Sequence, residues 1–272
     1  MPAAIWFGIP ALAAYAAAAW LLWRRLPRLR AGEAPDKKLA LAIGLLGALL
    51  HAMALASDVC CLEGIDLGVL KALSLSGLVT LLLVLGSSLR QPLENLTLPV
   101  LPLTMLALGA QLAWPSAPRS LVGTQPALEV HILLSILAYS LFTLAALQAW
   151  LLASQHRALH ERRPSSFARI LPPLEHMETL LFRLIGAGFV LLTLALVTGF
   201  MYLEDIFAQH LLHKTVLSIV SWAVFGGLLL GRGFLGWRGR TAVRWTLSGF
   251  GVLLLAYFGT KIVLEWVLGI IR

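Results

Sequence analysis

The sequence predicts an all-α integral membrane bundle of about eight transmembrane helices. Three observations carry that prediction. Of the 272 residues, 59% are apolar and only 12% charged, about half the charged share of a soluble domain. The apolar residues fall into long runs separated by short polar breaks, and each run approaches the roughly 20 residues a helix needs to cross a bilayer. The runs are continuous rather than alternating, which argues against a membrane barrel. The same composition excludes a disordered chain and leaves little for a soluble domain, so residues 1–272 read as one transmembrane domain.

The first run, 3–23, carries its positive cluster behind it: Arg24, Arg25, Arg28 and Arg30. That is the reverse of a secretory signal, so the run reads as a retained span with its N-terminus outside. Further runs cover 39–56, 67–88, 97–114, 129–154, 179–202, 213–231 and 245–268. Of the 21 Lys and Arg, one side of this arrangement holds only Lys71, Arg119, Lys214, Lys261 and Arg272. All the others fall in the opposite loops, which are therefore expected to be cytoplasmic. Both termini are then expected outside, as an even number of spans requires.

The longest cytoplasmic loop is expected over 155–178, with His156, His160, Pro164, Pro172 and Pro173. Its basic residues suit anionic lipid headgroups, and a docking site for a cytoplasmic partner is the alternative. From Tyr202 to Leu212 the positions Leu203, Ile206, Phe207, His210 and Leu211 form one apolar helical face beside Glu204, Asp205 and Gln209. Such a segment suits a lid lying on the outer surface or a plain extension of the sixth span.

The net charge of +8 does not signal nucleic acid, because the basic residues sit in short loops between apolar runs. The two cysteines, Cys60 and Cys61, are adjacent, and no CxxC or Cys/His zinc spacing occurs. No P-loop, hydrolase or HExxH motif is present, so enzymatic activity is not expected.

Ionisable groups inside spans are costly and become functional candidates. His51, His131 and His213 all map to the outer half of the expected membrane. In the fifth span His131, Ser135 and Tyr139 follow i, i+4, i+8, with Phe142 near the same stripe. A helix places them on one side. In the eighth span Tyr257, Lys261 and Glu265 repeat that spacing, where Lys261 pairs with Glu265 or meets an anionic ligand. Neutral imidazoles at an apolar, aromatic membrane face suit haem, whose iron takes axial nitrogens, and Lys71, Lys214 and Lys261 suit its propionates. Zinc or copper lacks a completing carboxylate or thiolate, a proton relay lacks a continuous acid chain, and interfacial histidines without a ligand are the plain alternative.

At these residues the chain resembles the cytochrome c assembly superfamily, which includes the CcsA, CcmC and HemX types. Val130-His131-Ile132 through Tyr139 is similar to its "VH…SYA" span. Val197-Thr198-Gly199 resembles its "TG" ending, and His213-Lys214 to Trp222 its next span. Gly236-Trp237-Arg238-Gly239-Arg240 with Ala256-Tyr257-Phe258-Gly259 resembles its close. The resemblance covers about 40–268 and is nearest the HemX/YpjD-like branch. It implies haem handling at the outer face, with His131 and His213 as axial and metal ligands. The superfamily's tryptophan-rich segment before the seventh span is replaced by Tyr202 to His210, which argues against transfer of haem to an apocytochrome.

The resulting expectation is a multi-pass bacterial inner-membrane protein that binds haem, haem b being the expected form, through His131 and His213. His51 is a third candidate ligand, Tyr139 lines the site, and Lys214 and Lys261 face the propionates. The expected role is haem handling or cytochrome c biogenesis without catalysis. Expected partners are haem, membrane lipid and other membrane proteins of cytochrome or haem pathways. The alternative is a haem-free scaffold or regulator of a partner enzyme or transporter, working through the 155–178 loop.

Overall fold

A computed structural model describes residues 2–30, 33, 36–61, 64–65, 69–88, 94–114, 126–161, 171–202 and 209–259. Its helices are α1 (Pro2–Arg30), α2 (Lys38–Val59), α3 (Val69–Ser88), α4 (Glu94–Ala113), α5 (Pro126–His160), α6 (Leu174–Tyr202), α7 (Gln209–Phe234) and α8 (Gly239–Leu254). A π-helical turn, Leu255–Gly259, continues α8. Two short strands, β1 (Cys60–Cys61) and β2 (Gly64–Ile65), pair antiparallel after α2. The protein is an all-α membrane bundle, as the composition predicts.

Among the described residues, α1 to α7 are each long and apolar enough to cross a membrane. α8 has 16 residues, and the expected span 245–268 is described only as far as Gly259. Large apolar side chains point outward: Trp6 is 78% exposed and Leu106 71% exposed. A water-facing surface would not carry so many, whereas hydrocarbon accommodates them. Pro10 and Pro27 lie inside α1, and Pro99 and Pro102 inside α4, as membrane helices tolerate.

Several helices outrun the expected spans at their polar ends. α1 carries its helix through Arg24, Arg25 and Arg28, and α5 continues to His160. Charge ends a span but does not end a helix, because Arg, Lys and Gln are good helix formers. The expected loop 155–178 is therefore helical at both ends, with His156 in α5 and α6 starting directly after Pro172 and Pro173. Residues 162–170, and 203–208 of the expected lid, lie outside the described residues.

The helices group into two compact units, residues 1–124 with 158–172 and residues 125–157 with 173–272. In the first, α1 packs on α2 and α4, and α3 packs on the same two helices. Small residues let backbones approach. A Cβ at Gly47 would stand 2.7 Å from the Tyr15 ring, and one at Gly8 would stand 2.6 Å from Leu112. Leu81, Leu85, Leu101 and Leu108 fill the interior.

In the second unit α7 packs on α6 and α8. Phe142 of α5 and Phe225 of α7 are fully buried and stacked, with centroids 3.9 Å apart. Gly188 of α6 lies against the Phe142 ring. The α7–α8 turn uses Gly236 at φ 65° and Gly239 at φ 55°, a left-handed conformation that glycine adopts without a Cβ penalty. The turn brings the Trp237 amide back onto the Gly231 carbonyl at 3.1 Å. The Trp237 ring seats against Gly231 and beside Trp245, 4.9 Å away. Glu178 of α6 accepts a hydrogen bond from the Gly239 amide at 2.9 Å, so a carboxylate from another helix caps the N-terminus of α8.

Candidate functional site

His131 sits in the second turn of α5, after Pro126 opens the helix and Glu129 places a carboxylate in its first turn. Its side chain is half-buried. Nδ1 donates to the Ala195 carbonyl of α6 at 2.8 Å, with Thr198 Oγ1 a longer partner at 3.4 Å. A carbonyl can only accept, so Nδ1 carries a hydrogen, and in the neutral ring the lone pair then falls on Nε2. Among the described residues no hydrogen bond reaches Nε2. This is how a metal-ligating histidine is usually held: one ring nitrogen tied to a carbonyl, the other bare.

The expected stripe of α5 forms, and its groups are partly occupied. Ser135 donates to the His131 carbonyl of its own helix at 2.8 Å. The Tyr139 hydroxyl donates to the Leu253 carbonyl at 2.6 Å, in the last turn of α8 before the π turn. A π turn is rare and frequent at functional sites. Tyr139 meets Tyr257 of that turn edge-on, with centroids 5.7 Å apart. Further along the α6–α7 face, Trp222 donates to Thr193 at 2.9 Å and stacks on Phe189 at 5.4 Å.

His51 belongs to the first unit and has a different setting. It is fully buried with Tyr15 and Ser74. Its Nδ1 pairs with the Tyr15 hydroxyl at 3.1 Å and its Nε2 with Ser74 Oγ at 2.8 Å. Both ring nitrogens are engaged, so ligating iron would require giving up one of these bonds. Lys71, one turn from Ser74 on α3, is also buried.

The remaining expected residues are less fully described. The backbone of His213 belongs to α7, but its side chain lies outside the described residues. Lys214 is half-buried one position on. Lys261 lies outside the described residues. Among the described residues, no three His, Cys, Asp or Glu side chains converge as a metal site would require. A haem iron asks for less, namely one neutral imidazole from each side and an apolar surround. His131, with its Nε2 lone pair on a helix bearing Tyr139 and Phe142, fits that requirement for one side.

The sequence marks Thr198 and Gly199 through the resemblance of Val197-Thr198-Gly199, but not their contact with His131, and it does not mark Ala195 or Tyr15 at all. Ala195, Thr198 and Gly199 share a face of α6 at i, i+3, i+4. Ala195 acts through its carbonyl, which no residue type announces. Tyr15 is a lone hydroxyl in an alanine-rich run, and the contact of Gly47 beneath it is equally silent.

Residues 6–268 match the family model described as cytochrome C assembly protein. The chain belongs to that family. It is 41% identical over 138 residues to the inner membrane protein YpjD of Escherichia coli K12, covering 51% of this chain and 52% of that one. An uncharacterized 28.8 kDa protein of Azospirillum brasilense is 39% identical over 144 residues, covering 52% and 53%. The cytochrome c biogenesis protein CcsA of Prochlorococcus marinus is 32% identical over 106 residues, covering 36% and 34%. The chain thus spans about half the length of the YpjD relative. No solved structure matches it.

Proposed function

We propose that this protein binds haem at the outer face of a bacterial inner membrane and serves haem handling or cytochrome c biogenesis. One observation carries the reading: His131 is held through Nδ1 so that Nε2 is the available donor. His213 is the partner ligand in this reading, at the start of α7. Lys214 and Lys261 supply charge for the propionates, and the expected haem is haem b. Bound haem would supply an iron that imidazole nitrogens can hold.

The chain's own residues bind and orient. α5 presents His131, the Ala195 carbonyl fixes its ring, and Tyr139 follows two turns on along the same helix face. His131 and His213 would hold the iron together, which suits carrying over catalysis. Membership of the cytochrome c assembly family, and relatives named as a cytochrome c biogenesis protein and an inner membrane protein, support the reading. The loop-charge asymmetry supports an outer-face site and two outer termini. Partners beyond lipid and haem would be membrane proteins of those pathways.

The test is purification in mild detergent, oxidised and reduced visible spectra, and a pyridine haemochrome assay. Near-stoichiometric low-spin haem that is lost in His131→Ala is the expected result. A colourless protein that takes up no added haem overturns the reading and moves the assignment to a haem-free scaffold.

A further inference from the structure

We propose that Gly199 and Thr198 of α6 are positioning residues for His131: together they decide which ring nitrogen the imidazole presents. In an α-helix the Ala195 carbonyl accepts the amide of residue 199. A second donor must therefore approach from the side, over the Cα of that residue. A Cβ at Gly199 would stand 3.0 Å from His131 Cε1 and 3.3 Å from Nδ1, inside ordinary contact distance. Glycine is the residue that leaves the imidazole room to lie on α6 and reach the carbonyl.

Thr198 completes the selection. Its hydroxyl has the Leu194 carbonyl at 2.8 Å and the Ala195 carbonyl at 3.0 Å to donate to. With its hydrogen on either carbonyl it offers a lone pair to His131, beside the Ala195 carbonyl that can only accept. α6 thus selects the tautomer with hydrogen on Nδ1 and a bare Nε2. A carbonyl drawing on Nδ1–H also makes Nε2 the stronger donor. The tautomer selection concerns the haem-free protein; its effect on iron rests on the haem-binding reading above.

The test is 15N spectroscopy of histidine-labelled full-length protein in nanodiscs without haem. The His131 signals are assigned as those that vanish in His131→Ala. Nδ1 protonated and Nε2 bare is expected in wild type and in Thr198→Ser. Gly199→Ala is expected to give a mixed population, and Thr198→Val a smaller shift in the same direction. Wild type with hydrogen on Nε2, or a pattern unmoved in both Gly199→Ala and Thr198→Val, overturns the proposal.

In the haem-titrated protein, Gly199→Ala should lose about 10–100-fold in affinity and raise the midpoint potential. Thr198→Ser should restore the wild-type potential that Thr198→Val shifts. A wild type that shows the expected nitrogen pattern but binds no haem defeats the haem reading and leaves the positioning standing. Haem bound through His131 with equal affinity and potential in every variant defeats the positioning and leaves the haem reading standing.

Discussion

His51 and His131 are both membrane histidines, and their settings differ in one respect that matters. His51 has hydroxyl partners on both ring nitrogens, from helices α1 and α3, and no exposed surface. His131 has one nitrogen tied to a backbone carbonyl and a partly exposed side chain. The first arrangement spends the whole side chain on joining helices, as polar groups between membrane helices commonly do. The second uses one nitrogen for orientation and, among the described residues, leaves the other without a partner. Position in a span does not separate the two; burial does, and so does the number of ring nitrogens with a partner among the described residues.

That contrast can be broken by exchanging the consequences. His131→Ala should abolish haem binding while costing only about 1 kcal/mol of stability, the worth of one hydrogen bond. His51→Ala should do the reverse. It leaves a cavity and two buried hydroxyls without a partner, a loss of about 2–5 kcal/mol, with haem content per folded molecule unchanged. Thermal unfolding in detergent alongside haemochrome content reads both; loss of haem in His51→Ala with an unchanged melting temperature would break the comparison.

Smaller changes sharpen it. Gly47→Ala drives a methyl into the Tyr15 ring and should cost about 1–3 kcal/mol, as overpacking does, again without loss of haem. Tyr139→Phe removes the hydrogen bond to Leu253 and should cost about 1 kcal/mol, with the low-spin spectrum retained because the ring stays in place. Glu178→Gln weakens the cap on α8 and should cost about 0.5 kcal/mol, the smallest shift in melting temperature of the set.

Much of this architecture is written in the sequence at the level of hydropathy. The run at 39–56 became α2 and that at 97–114 became α4 with little change, because continuous apolar residues have one stable form in lipid. Helix ends were harder to read. α5 reaches His160 because nothing between 155 and 160 is a glycine or proline. The α5 stripe of His131, Ser135 and Tyr139 was legible from helical spacing. What ties those groups down was not, since Ala195 and Leu253 contribute carbonyls and Gly199 contributes the lack of a side chain. The division into two units also leaves no mark, since the composition of the runs is alike on both sides of residue 124.

The cap on α8 bears on how the protein is made. α8 opens on Arg240 and Arg244, both ahead of the apolar run that starts at 245. What steadies it comes from chain already synthesised: Glu178 at its start, Ser221 on the Gly249 carbonyl at 2.9 Å, and Tyr139 at its end. Each of these partners precedes α8 in the chain, so the groups that hold it are already made when α8 leaves the ribosome.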